Sequence, residues 1–351
     1  MISRKPRLVS NHSHQALVLI IVQITFLYQA GAIMVTQVRI GYVPEHYLLP
    51  LHLAAQNSLF PPSLEVTLVP FPAGTGHMIL SLRAKEIDLA IGLTEGWIAG
   101  LLNDGVKTQS LEEKGYSIVG SWVSTPLRWA IVTGRNRGDI RSVADLKQHR
   151  KVGVSRIGSG SHVMAFVLAQ QEGWLGQSVD SKSEGLTTVP LGPFKDLRDG
   201  VTSSTADFFM WEHFTTKPYF HEADSPLKKI GEIYTPWPSW HIAASTSTFP
   251  PSSHSSNETL AQIFDALDKG IAMFNGSPDQ AVRMLGTGEA GCHYSEDDAR
   301  EWLKDVKFVD GTKGVDRTVA SSVVDVLKGA NVIGPGVTLV DGDGVVGIPR
   351  S

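Results

Sequence analysis

Cysteine is almost absent from this chain: Cys292 is the only one in 351 residues. An internal disulfide is therefore excluded, and so is a zinc site that needs two thiolates. Charge is sparse as well. Charged residues make up 19% of the chain and the formal net charge is −4, which excludes a nucleic acid or an anionic membrane as the main partner. The one mainly apolar stretch near the N-terminus, Ala16–Tyr28, is broken by Gln23 and Thr25 and is too short for a confident membrane span. No HExxH, P-loop or G-x-S-x-G pattern occurs, and the Gly-x-Gly runs lack dinucleotide spacing. His293 beside Cys292 makes no metal site. Neither a metal nor a cofactor is expected.

The most informative segment is Lys151–Ala169, KVGVSRIGSGSHVMAFVLA. A short apolar run stops at a Gly/Ser turn, and a helical-length apolar segment follows. That order sets free backbone N–H groups, with their partial positive charge, at a helix start. Ser159 and Ser161 are suitable caps, and Gly158 and Gly160 allow close approach to the backbone. No acid lies between Lys151 and Gln171, whereas Arg156 and His162 do. The turn suits a small polar or anionic group. The plainer reading is that it only caps a buried helix.

Three strand–loop–helix units open the chain. The strands are Val38–Val43, Leu64–Val69 and Asp88–Leu93; the helices are Tyr47–Asn57, His77–Glu86 and one starting near Thr94. Such a series predicts an α/β protein with a mainly parallel sheet, whose ligands sit at the strand carboxyl ends. Tyr116–Gly134 is extended and broken by Pro126, and Lys229–Ser245 is a second extended passage. Between them the βα alternation returns, with Thr187–Leu191 and Ala206–Met210 as strands. These passages predict two lobes joined by two crossover strands: 37–123 with 237–330, and 124–236. Glu258–Ala330 reads as almost wholly helical, and the Gly-rich tail 331–351 has no assigned place.

Residues 1–36 read as a leader: Arg4, Lys5 and Arg7, an apolar stretch, then Ala30-Gly31-Ala32 as a small-residue cleavage site. The chain is secreted if that leader is real. It is cytoplasmic if translation starts at Met34. Asn257-Glu258-Thr259 and Asn275-Gly276-Ser277 are glycosylation sequons only in the first case.

Four segments carry a family resemblance: VRIGYVPEHYLLPLHLA, EIDLAIGLTEGW, VGVSRIGSGSHVMA and DFFMWEHF, in that order across Val38–Ala330. Together they resemble the type 2 periplasmic-binding-protein family, in the branch that binds sulfonates, nitrate, taurine and thiamine-precursor pyrimidines. Within it the chain is similar to a fungal group of unassigned ligand. The resemblance implies a two-lobed fold that closes like a Venus flytrap around a small molecule. A permease partner is implied for bacterial members. The related fungal enzymes that make the thiamine pyrimidine carry a cysteine-rich iron motif, which a single cysteine cannot supply.

Glu95 and Glu212 each follow an apolar strand, one per lobe, with Trp97 and Trp211 beside them. Carboxylates with indoles suit a nitrogen heterocycle or an amine; the plainer reading is that both acids only favour their helix dipoles. His46 lies at the first strand's exit, placed to donate to a ligand or act as a base, and Thr75 sits in the Gly74–Gly76 turn. Trp122, Trp237 and Trp240 fall on the crossovers. The expected site is therefore His46, Thr75, Glu95, Ser159, Gly160, Ser161, His162, Trp211 and Glu212. It would bind a small polar or anionic molecule, such as a nitrogen heterocycle or sulfonate, without catalysis. The alternative is an enzyme on the same scaffold, a thiamine-pyrimidine precursor synthase or a hydrolase, with His46 or His162 as acid/base.

Overall fold

In the computed structural model the described residues are 35–103, 109–174, 186–288, 291–339 and 344–350. Most of the expected leader lies outside them. The first lobe opens with β1 (Thr36–Tyr42), α1 (Leu49–Gln56), β2 (Leu64–Pro70), α2 (Thr75–Arg83), β3 (Leu89–Leu93) and α3 (Thr94–Leu102). A four-residue helix, α4 (Leu111–Lys114), then leads into β4 (Tyr116–Val123). Every residue of β4 is buried, and β3 is buried up to its last residue. That is why these strands read as continuous apolar runs rather than alternating ones.

The second lobe repeats the plan with β5 (Arg128–Gly134), β6 (Lys151–Val154), α5 (Gly160–Gln171), β7 (Thr187–Pro190) and α6 (Phe194–Thr202). Then come β8 (Phe208–Glu212), the one-turn α7 (His213–Thr216) and β9 (Leu227–Tyr234). The chain returns to the first lobe through β10 (Trp240–Ser245). The strand orders are β2-β1-β3-β10-β4 and β7-β6-β8-β5-β9. In each sheet the first three strands are parallel and the last two pair antiparallel. Each sheet thus holds a βαβαβ unit plus an antiparallel strand, β10 or β5, that begins directly after a crossover between the lobes.

The crossovers, residues 124–127 and 235–239, are tied to each other. The Leu127 amide donates to Thr235 Oγ1 at 2.8 Å, and Thr235 N donates back to the Leu127 carbonyl at 3.1 Å. Ser239 donates to the Thr125 carbonyl from both its amide and its hydroxyl. Pro126, Pro236 and Pro238 keep these connections out of either sheet's ladder.

The C-terminal third contains α8 (Glu258–Gly276), α9 (Pro278–Thr287), α10 (Glu296–Asp305) and α11 (Arg317–Gly329). It is less wholly helical than its composition suggests. The stretch 306–316 runs beside β4, with a bridge from Val123 to Phe308 and another from Gly120 to Gly314. The Gly-rich tail also has a place in the fold. Val346 bridges to Ile118, Gly347 N donates to the Ile118 carbonyl, and Val345 and Ile348 are buried against the first lobe. Gly347 is required by close approach, because a Cβ there would overlap Ser117 Oγ and crowd His254. Helix α11 packs on both α3 and α5, so it touches both lobes away from the crossovers.

Candidate functional site

Three helix starts converge between the lobes. Gly74, at φ 78° in the left-handed region, turns the chain into α2, and Thr75 Oγ1 accepts from the Leu93 amide at 2.9 Å. This bond fixes the start of α2 against the end of β3. Helix α3 follows β3 with no loop; its Thr94 hydroxyl reaches the Pro238 carbonyl of the second crossover. From the other lobe, α5 is capped by Ser159, whose Oγ accepts from His162 N and donates to the Arg156 carbonyl. Ser161 Oγ accepts from the Ser155 amide at 3.0 Å. The serine hydroxyls are thus spent on the turn. The amides of Gly160 and Ser161 stay as the donors a helix cannot use internally.

The cleft between these starts holds about 700 Å³ of unoccupied space, part of it open to solvent. Thr75, Ser159, Gly160, Ser161, Trp211 and Glu212 of the expected set line it. Trp211 and Glu212 are the last residues of β8, not part of the loop after it, because the strand runs two residues beyond Met210.

Glu95 is fully buried behind the wall. Its Oε2 accepts from the indole N–H of Trp237 at 3.1 Å, and its Oε1 has no partner. A Cβ added at Gly160 would lie 2.8 Å from that oxygen, so the two lobes meet there with room only for glycine. His46 is also buried behind the cleft. Its Nδ1 bonds the Tyr294 hydroxyl at 2.8 Å, and its Nε2 faces Glu212 Oε1 at 3.6 Å, too far for a hydrogen bond. His162 faces elsewhere: its Nδ1 accepts from Gly158 N, and its ring lines a separate hollow beside Phe166 and Gly329. The Gly158 amide, donating to Nδ1 at 3.1 Å, holds the ring back on its own turn.

Trp240 lines the cleft. Trp122 is a core residue that donates to the Tyr47 carbonyl, and Trp237 is spent on Glu95. Among the lining residues outside the expected set are Glu45, Trp129 and Arg156. Arg156 reaches across the cleft onto α2, where a Cβ on Gly76 would overlap its guanidinium. Among the described residues no carboxylate pairs with it. The signal for Arg156 was present in the acid-free turn, and that for Glu45 in its place directly after β1.

Burial sets the protonation of the wall. Loss of hydration raises the Glu95 and Glu212 carboxyls from 4.5 to about 7 each. The Thr215 amide, donating to Glu212 Oε2 at 2.7 Å, offsets part of that rise. Glu45 goes up to about 8, through burial first and the nearby Glu212 second. Burial drives His46 well below its usual range. Below about pH 7 the His46–Glu212 contact is therefore between neutral groups. The cleft is thus lined by two carboxyls, Glu45 and Glu212, that release their protons only near or above pH 7, together with one cation, Arg156, and the helix starts.

No curated protein matches the chain in sequence. A family model described as "Ca3427-like PBP" matches residues 129–233. The solved Candida albicans CA3427 gene product, described as defining a new family with the generic periplasmic-binding-protein fold, is 32% identical. The match covers 86% of this chain and 92% of that one, with a TM-score of 0.73. The chain belongs to the Ca3427-like family. Two further structures share the fold. The alkanesulfonate-binding protein SsuA of Xanthomonas axonopodis pv. citri, bound to MOPS, is 18% identical at TM-score 0.62, covering 85% of this chain and 94% of its own. The nitrate-binding protein NrtA of Synechocystis PCC 6803 is 13% identical at TM-score 0.61, covering 86% and 83%. As a Ca3427-like protein, the chain has the two-lobed periplasmic-binding-protein architecture.

Proposed function

We propose that this Ca3427-like protein binds a small molecule, polar or anionic at one end, by closing its lobes over the cleft, and performs no chemistry on it. One observation carries the reading: groups from both lobes converge on one cleft with their bonding capacity unspent. Arg156 and the Gly160 and Ser161 amides offer positive potential from the second lobe, and the starts of α2 and α3 add theirs from the first. The buried indole N–H groups of the lining residues Trp129 and Trp240 have no partner, and neither does Glu212 Oε1. Unmade bonds of this kind are costly in a closed protein and are recovered when a ligand supplies the complement. The sulfonate and nitrate named for the two fold neighbours are of the anionic class that Arg156 would attract. A ligand nitrogen would face Glu212.

Binding is favoured over catalysis by the position of His46. It sits behind the wall, bonded to Tyr294, and burial holds it neutral. Native mass spectrometry of the purified protein tests the reading directly, followed by thermal melts with alkanesulfonates, nitrate and an aminopyrimidine. We expect a bound small molecule or a clear rise in melting temperature with at least one anion, lost in Arg156→Ala. Stabilisation of equal size in Arg156→Ala would remove the anion end from this cleft. No stabilisation by any compound, with no co-purified ligand, would remove the binding reading.

A further inference from the structure

The cleft does not end at Glu45. A second hollow, with about 820 Å³ of unoccupied space, opens beside it and shares Val43, Glu45, Pro72 and Trp211 as common wall. Its remaining walls are mostly rings. Phe194 stacks on Trp211 with centroids 5.4 Å apart and meets Tyr219 edge-on at 5.5 Å. The Arg198 guanidinium sits 3.7 Å from the Tyr219 centroid and 4.9 Å from that of Phe194. Those rings are held in place from behind, and Arg198 itself does not line the hollow. Tyr294 has spent its hydroxyl on His46 and Thr215. Burial pushes the Cys292 thiol up, which leaves it no nucleophile. Glu45 stands between the two spaces, and no hydrogen bond reaches its carboxyl among the described residues.

Apolar rings beside one unengaged carboxyl are complementary to an amine carried on a ring or an apolar chain. Arg198 already covers the Tyr219 face, so a ligand cation belongs at Glu45 and its apolar part belongs against the rings. This rests on the reading of the cleft as an anion-binding site. We propose that the side hollow is a second subsite of the same ligand, and that the ligand is zwitterionic. Its anionic end would lie at Arg156 and the start of α5, with a cyclic or apolar ammonium group at Glu45 against Trp211, Phe194 and Tyr219. A cation seated there would draw the Glu45 carboxyl back to its ionised form.

Two sulfonate probes separate the subsites by titration calorimetry near neutral pH: propanesulfonate, and cyclohexylaminopropanesulfonate, which adds a ring ammonium to the same chain. Wild-type protein is expected to bind the ring ammonium compound at least tenfold more tightly. Tyr219→Ala, which alters only the side hollow, should remove most of that advantage and leave propanesulfonate affinity unchanged. Glu45→Gln should weaken the ring ammonium compound at least tenfold. If Tyr219→Ala fails to fold, Glu45→Gln with the same probe carries the test. Equal affinity of wild-type protein for the two probes would overturn the subsite and leave the cleft reading standing. Failure of both probes to bind would overturn the anion end, and the zwitterion with it.

Discussion

Replacing Glu95 by glutamine isolates one buried carboxyl. The side chain is fully buried, accepts one bond from Trp237 and leaves Oε1 without a partner against Gly160. Glutamine has nearly the same shape and still accepts from the indole, so the packing is kept and only the titration is lost. The carboxyl is raised from 4.5 to about 7, mainly by burial. At 1.36 kcal/mol per unit of pKa, about 3 kcal/mol of folding stability depends on pH through this one group. The sign follows from proton binding. The folded state holds the proton over a range where the unfolded state has released it. The contribution is therefore fully present below the unfolded value and is lost as pH rises through about 7. Glu95→Gln should match wild type closely at about pH 5 and exceed it by roughly 2.5 kcal/mol at about pH 8.5. With an unfolding entropy of about 2 cal/mol/K per residue, that difference is a melting-temperature gap of about 3–4 °C. Scanning calorimetry of both proteins at the two pH values measures it. Glu45 and Glu212 are present in both proteins, so their titration cancels. A gap that is the same at both pH values would show that Glu95 does not titrate between them, and the account of the closed wall would fail.

Two shorter predictions concern the lobe contact and the tail. Gly160→Ala places a methyl 2.8 Å from Glu95 Oε1 and 3.1 Å from the Trp129 ring; we expect a larger radius of gyration by small-angle scattering and at least tenfold weaker ligand binding, and unchanged values of both would mean that the lobes do not need to meet there. Val345, fully buried beside β4, should not tolerate Val345→Asp: an unpaired buried carboxylate costs several kcal/mol, so the denaturant midpoint should fall steeply, and an unmoved midpoint would detach the tail from the first lobe's core.

The parts of the fold that were legible in the sequence are those set by local chemistry. Lys151–Val154 stops at a Gly/Ser turn and α5 begins within it, because small residues and a capping serine specify that junction with no help from elsewhere. Pro126 and the Trp237–Trp240 region mark the crossovers for the same reason. The place of β10 between β3 and β4 could not be read this way. The pairing joins residues about 150 positions apart, and nothing in WHIAAS names its neighbours. The tail was opaque because only a few apolar residues among glycines anchor it, and their partner strand lies over 220 positions upstream.

The candidate site divides along the same line. Residues whose position belongs to the backbone of a turn, such as Thr75, Gly160 and Ser161, are set on the cleft by the turn itself. For side chains, the loop around Glu45 and His46 shows where one-dimensional reading stops. Adjacent residues leaving a strand point to different sides. The histidine, the more suggestive residue chemically, turned inward to Tyr294, and its neighbour took the cleft. His162 was drawn aside by a local contact, the Gly158 amide donating to its Nδ1. What decides whether an acid lines the cleft or lies behind it here is the opposite lobe. Glu95 is walled in by Gly160 and Trp237, whereas Glu212, the last residue of its strand, is among the residues that line the cleft. That difference is a property of two surfaces meeting, and neither surface is written in the segment that carries the residue.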